Sequence, residues 1–268
     1  MSDTVDFFVH IPKTAGTTML QIIESHYGAD KVLSFREIPR EERIALVKSM
    51  RPAIRCVAGH LHYGEHRHFP RLCRPFTMLR EPTERVISLY YFILREKTQP
   101  SHERLKRGEL TLDQIARRQG AAMARFIAGH RAKEGIPDAG LLAEAKHVLE
   151  HTMATFGLTE RFDESLLMFN RALGWNVRGY TKANVTKNRP TGEKMGTEQV
   201  ELIRSYNAVD TELYSFAKNL FEQRLAKESQ PEFAEQLAGL RRNVVVAQGL
   251  SRAREGWQKV REVLGLAR

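Results

Sequence analysis

The segment Phe7-Phe8-Val9-His10-Ile11-Pro12-Lys13-Thr14-Ala15-Gly16-Thr17-Thr18-Met19-Leu20 constrains this chain more than any other. An apolar, β-prone run over residues 5–11 feeds a short loop, and Met19, Leu20, Ile22 and Ile23 then recur at helical spacing. A strand, a small-residue loop and a helix start together make an anion site. The first N–H groups of the helix lack intrahelical acceptors, and the helix dipole points at the same spot. Lys13 adds a full charge, and the hydroxyls of Thr14, Thr17 and Thr18 add donors. The pattern suits a phosphate-like or sulfate-like group. It is not the Walker nucleotide loop, because Lys13 precedes Gly16 and no Gly-Lys-Ser/Thr follows.

A second segment repeats the logic. Residues 75–79 read as a buried strand ending at Arg80, and Pro82 suits the first turn of the helix that follows. Arg80 therefore belongs at the C-terminal end of a strand, where open α/β sheets bind ligands. Ser88 follows two helical turns later. Between the two segments, the strand-like run 53–57 leads into Gly59-His60-Leu61-His62, so His60 also belongs at the sheet rim. A neutral imidazole, with an unperturbed pKa of about 6.5, suits a general base. His60, His62, His66 and His68 also invite a metal reading, but no cysteine or carboxylate set completes such a site. His66 and His68 read as structural or surface residues, and His10 as a strand-end residue shaping the loop.

The string His10-Ile11-Pro12-Lys13-Thr14-Ala15-Gly16-Thr17-Thr18 resembles the 5′-phosphosulfate loop of sulfotransferases that use 3′-phosphoadenosine 5′-phosphosulfate (PAPS). The likeness is to the carbohydrate branch that includes the heparan sulfate 2-O-sulfotransferases. Arg80, Pro82, Arg85, Ser88, Tyr90 and Tyr91 match that family's 3′-phosphate signature, with Glu81 where aspartate is common. The resemblance implies that Lys13, Thr14, Ala15, Gly16, Thr17 and Thr18 hold the 5′-phosphosulfate and that Arg80 and Ser88 grip the 3′-phosphate. It assigns His60 as the base, with His62 as its neighbour and competitor, and Lys13 as stabiliser of the leaving oxygen. Residues 157–165 also match, with Glu160 and Arg161 read as structural ion pairs. Residues 180–189 resemble a variable late loop, which makes Lys187 a donor-side and Arg189 an acceptor-side candidate. The likeness runs through discrete motifs over residues 5–225.

The chain has 268 residues and a net charge of +10. Six arginines lie at positions 51, 55, 67, 71, 74 and 80 against the single acid Glu65, and five basic residues lie between Arg178 and Lys194. No zinc finger, helix-turn-helix or RNA-binding aromatic motif accompanies these blocks, so nucleic acid is not the expected partner. A multiply charged donor accounts for the first block, and an anionic acceptor for the second. No apolar run reaches the length of a membrane span. The acidic Met-Ser-Asp-Thr start and the two cysteines, Cys56 and Cys73, lead us to expect a cytoplasmic protein without disulfides.

Strand patterns at 6–11, 32–35, 53–57, 76–79 and 155–158 alternate with helical patterns at 17–27, 40–50, 82–96 and 141–153. This predicts an α/β fold with a doubly wound, mainly parallel sheet of P-loop-like type. The domain spans 1–226, with a helical insertion at 97–140 and a helical C-terminal extension at 227–268. The insertion reads equally as an acceptor-facing flap or a packing appendage. The expected function is metal-free transfer of a sulfuryl group from PAPS to a hydroxyl, that of a carbohydrate. The rivals are a nucleotide-dependent phosphotransferase and a non-catalytic binder of sulfonucleotide or anionic glycan.

Overall fold

The computed structural model describes residues 4–35, 38, 42, 45–47, 50–129, 137–182, 195–228 and 231–263, with side chains in the last helix described to residue 248. Most of the helix expected at 40–50 lies outside this set.

Strand β1 (Val5–Val9) leads through the loop to helix α1 (Gly16–Tyr27), then to the short strand β2 (Val32–Ser34) and to β3 (Cys56–Gly59). Strand β4 (Cys73–Leu79) feeds α2 (Pro82–Arg95). The insertion supplies α3 (His102–Lys106), α4 (Leu112–Gln119) and α5 (Ala122–Ala128). Helix α6 (Asp138–His147) runs into a π-turn (Val148–Thr152) before β5 (Thr155–Leu158) and α7 (Phe162–Leu173). Helices α8 (Thr197–Tyr206), α9 (Ala208–Glu228) and α10 (Pro231–Val263) complete the described chain.

The sheet is fully parallel, in the order β2-β3-β1-β4-β5. Strand alternation divides its residues between two covered faces. On one face, Asp6, Phe8, Phe76 and Gly157 meet α1 and α7: Tyr27 bonds Asp6, Phe76 packs on Phe169, and Gly157 abuts Ser165. On the other, Phe7 packs on Phe69 and Phe156 on Phe221 of α9. Two expected strands shift. The β3 ladder begins only where Cys56 stands beside Asp6, because 51–54 is a turn closed by Ile54 N–H to the Arg51 carbonyl. Strand β4 reaches back through Pro75 to Cys73, and its carbonyl at Pro75 accepts from Ala154.

The insertion is chiefly a packing unit. Leu110, Ile115 and Ala116 form a second apolar cluster with Val86, Ile87 and Ile93 of α2 and Ile203 of α8. Helix α5 instead enters the main core through Met123, Ala124 and Ile127. The start of the C-terminal extension docks on its own domain, with Phe233, Leu240 and Val244 buried and Asn243 donating to the Arg178 carbonyl.

Two buried carboxylates pin these layers. Asp6 is 1% exposed and accepts from Arg74 Nε at 2.8 Å, from Trp175 Nε1 at 2.8 Å and from the Tyr27 hydroxyl. Asp210 accepts the Met123 and Ala124 amides, both at 3.0 Å, and faces the Arg85 guanidinium at 3.6 Å. Removing one member of a buried charged network strands its partners at a cost of about 3–5 kcal/mol. Asp6→Ala should lower unfolding stability on that scale, measured by urea denaturation. Trp175→Phe, which removes one donor and leaves Asp6 its other partners, should cost only about 1 kcal/mol.

Candidate active site

Register places three loops at one rim. Val9 stands beside Gly59 on one side and Thr77 on the other, so the chain leaves β1 and β3 at the same level, with β4 running on to Leu79. The segments that follow are the phosphate-type loop, the His60 turn and Arg80.

The loop after β1 is held tightly. Thr14 is fully buried and its hydroxyl donates to the Ile11 carbonyl at 2.8 Å. That corrects the expectation of a ligand-facing Thr14 hydroxyl: the side chain closes the turn, leaving only its backbone for a ligand. Thr18 is also buried, whereas Thr17 and Ala15 are half-buried. Lys13 and Ala15 adopt left-handed backbone conformations (φ 72° and 63°), each an uphill choice for a residue with a Cβ. No side chain caps α1. At Gly16 a Cβ would fall 1.7 Å from His10 Nε2, so only glycine lets the helix start this close to that ring.

Lys13 and Arg80 converge. Arg80 donates to the Lys13 carbonyl at 3.1 Å and lies 3.6 Å from Glu84, while Lys13 Nζ sits 3.9 Å above the Phe92 ring. Glu84, Ser88 and Phe92 are four residues apart along α2 and share one face. Because Glu84 meets Arg80 and Phe92 meets Lys13, Ser88 lies on the face turned to the loop. Glu81 caps this helix through the Glu84 amide at 2.6 Å, with Pro82 in its first turn. Arg85, by contrast, is fully buried on Gln119 and Asp210, and desolvation lowers its pKa. Its role is structural.

His60 Nδ1 lies 2.9 Å from the His10 carbonyl and its ring stacks on His10 at 4.5 Å. His62 stacks on Phe126 of the insertion at 4.3 Å and stands 3.5 Å from Glu65. The insertion therefore touches the rim through Phe126 as well as packing on α2. His66 is structural: Nδ1 accepts from Gly64 at 3.1 Å and the ring meets Phe7 edge-on. Arg161 makes the expected ion pairs, with Glu164 and Glu222, whereas Glu160 accepts from two uncharged donors, the Glu81 amide and the Tyr214 hydroxyl. Lys187 and Arg189 lie outside the described residues. Among the described residues no three of His, Cys, Asp and Glu gather as a metal site.

The first basic block divides, correcting its assignment as a whole to one anionic ligand. Arg80 follows the C-terminal end of β4, whereas Arg51, Arg55 and Arg71 precede β3 and β4 and bond the carbonyls of Asp30, Pro52 and Ile54 at the opposite end. Arg67 lies on the return segment between β3 and β4, over the Tyr63 ring. Arg74 is spent on Asp6. Sequence reading missed Phe92 and Phe126. The first was legible from the 84/88/92 spacing; the second is a contact across 64 positions with no local signal.

Comparison with known proteins applies to the chain as a whole. The chain is 24% identical to chicken heparan sulfate 2-O-sulfotransferase 1 over 85% of its own length and 80% of that protein's. It is 26% identical to human heparan-sulfate 6-O-sulfotransferase 1 over 87% and 69%. The proteins it resembles over most of its length thus include heparan sulfate 2-O- and 6-O-sulfotransferases. A mouse sulfotransferase crystallised with PAP overlaps 77% of this chain and 66% of its own, at 15% identity and a TM-score of 0.41, too loose to align individual residues. No family model matches.

Burial holds the His66 pKa down at about 4, and the neighbouring Arg67 and His68 charges add to the effect. The unfolded chain, near 6.5, then binds the proton first. Stability conferred by neutral His66 is complete above pH 6.5 and is lost as pH falls towards 4. His66→Gln should flatten this segment of the stability–pH curve, read by denaturation at fixed pH values.

Proposed function

We propose that this chain moves a sulfuryl group from PAPS to a hydroxyl of a carbohydrate. The observation that carries the reading is the convergence of Lys13, Arg80, the Ser88 face and His60 on one rim beside an uncapped helix start. The residues suit a sulfonucleotide. Uncapped amides from Gly16 onward and Lys13 suit a 5′-phosphosulfate, and a guanidinium beside a serine suits a 3′-phosphate. Relatives named for heparan sulfate 2-O- and 6-O-sulfation support a glycan hydroxyl as acceptor.

PAPS supplies the activated sulfuryl group; the chain supplies position and charge. A carbonyl can only accept, so Nδ1 of His60 carries a proton; the neutral imidazole in that form has its lone pair on Nε2, the form that takes a proton from an acceptor hydroxyl. Lys13 rests on Phe92 through a contact worth about 0.5–1 kcal/mol. A charge-assisted hydrogen bond to an anion is worth about 1.5–3 kcal/mol. An ammonium that exchanges the ring for a sulfonucleotide oxygen gains by that difference and offsets charge that builds there. Arg80 stays tied to the Lys13 carbonyl, which keeps the two cations in register.

We further read the protein as cytoplasmic. Cys56 and Cys73 are unpaired, which suits a reducing compartment; burial pushes both thiols up, Cys73 to about 11, and keeps them unreactive. No described helix is long and apolar enough to cross a membrane.

Calorimetric titration with 3′,5′-adenosine bisphosphate tests the donor site without any acceptor. Binding should be tight, independent of magnesium and dependent on the 3′-phosphate. Arg80→Ala should weaken it by about 1.5–3 kcal/mol. His60→Ala should bind normally yet lose about 10²–10⁴ in transfer from PAPS to a desulfated heparan chain. Binding of ATP with magnesium in place of the bisphosphate would overturn the reading in favour of phosphoryl transfer.

A further inference from the structure

An aromatic column runs from the core to the rim on one face of the sheet. Phe169 of α7 meets Phe76 edge-on at 5.3 Å, and Phe76 stacks on Phe8 at 5.0 Å. Phe8 stacks on His10 at 5.5 Å with planes 11° apart, and His10 on His60 at 4.5 Å and 29°. Strand geometry builds the column. Positions 8 and 10 of the central strand point the same way, and the parallel register sets 76 beside 8 and carries 60 to the level of 10.

His10 is where this column meets the donor loop. It is 5% exposed, and its Nε2 lies so close to Gly16 that any Cβ there would overlap it. The same residue offers His60 two holds, its ring as a stacking surface and its carbonyl as acceptor for Nδ1–H. The carbonyl sets the tautomer only while Nδ1 stays in line with it, and a ring left to swing loses that bond and the tautomer with it. The stack fixes the plane.

We propose that His10 is a positioning residue whose ring, wedged between Gly16 and His60, holds the His60 imidazole in the orientation and tautomer that a general base requires. The inference rests on the reading of His60 as the base. His10 touches no reacting atom; it refers the base both to the rigid core and to the helix start that receives the donor. A flat ring is the needed property, so phenylalanine should replace it and alanine should not.

Nitrogen-15 spectra of the histidine side chains in the ligand-free protein give the test. Wild type should show His60 as a single Nδ1–H tautomer. His10→Ala should give a mixture of tautomers, and His10→Phe should restore the single form. In transfer from PAPS to a desulfated heparan chain, His10→Ala should lower kcat roughly ten-fold with KM for PAPS little changed, and His10→Phe should recover it. Should His10→Ala not fold, His10→Leu fills the space without a flat ring and carries the same comparison. A wild-type His60 in the Nε2–H form, an alanine or leucine variant with an undisturbed tautomer, or a phenylalanine variant as defective as alanine would each overturn the proposal. The spectra need neither donor nor acceptor, so they decide the role of His10 even for an enzyme inactive on heparan.

Discussion

Parallel strands with a shared register end together, and here that constraint decides where chemistry can occur. Val9 pairs with Gly59 and Thr77 at once, so a slip of one residue on either side would turn His60 or Arg80 to the opposite face. Burial resists such a slip. Phe7, Phe8, Val57, Ala58, Phe76 and Met78 are all fully buried, and a slip would exchange the partners of every one. The carboxylate of Asp6 adds direction to what apolar packing only favours. Its bonds to Arg74 and Trp175 exist in one alignment of β1, β4 and α7. The rim inherits its geometry from the far end of the strands.

Against that rigid background the loop after β1 holds unfavourable choices. Left-handed conformations at Lys13 and Ala15 each cost on the order of 1–3 kcal/mol and bring no apolar burial in return. They are held by the Thr14–Ile11 hydrogen bond and by the Gly16–His10 contact, both within the loop's own turn. What the strain achieves is a helix start with no side-chain cap, turned to the same rim as Arg80 and His60. The left-handed backbone at position 15 is not the extended one from which a serine or aspartate side chain caps a helix, so the first amides of α1 stay open to an anion.

Short-range signals made most of this legible beforehand. The turn from strand to helix at 11–16, the Pro82 helix start and the strand at 155–158 all follow from patterns a few residues long, and the structure places them there. The charge of the 51–80 block was misleading because charge counts ignore strand direction. Arginines before a parallel strand and arginines after it are separated by the length of the sheet, and Arg74 is consumed by a carboxylate 68 positions away. The Phe126–His62 stack and the Asp210 contacts at Met123 and Ala124 were out of reach for the same reason. A contact between distant positions leaves no period in the sequence. His10 was legible as a loop-shaping residue, but its double engagement with Gly16 and His60 appears only when β1 and β3 are laid side by side.

The buried Arg85–Asp210 pair ties the two sides of the rim together. Arg85 belongs to α2, the helix whose outer face carries Ser88 and Phe92; Asp210 accepts the first amides of α5, the helix that brings Phe126 to His62. Desolvation pushes both groups towards neutrality, lowering the pKa of Arg85 and raising that of Asp210, and each is the other's main electrostatic relief. Apolar residues of the same volume would fill this space at no desolvation cost and could be the more stable choice. They would not, however, fix the start of α5 relative to α2, because packing tolerates sliding that two amide–carboxylate bonds do not. The pair therefore serves geometry rather than stability. It sets how far the helix carrying Ser88 and Phe92 stands from the wall beside the histidines, a spacing that the proposed transfer would need held constant.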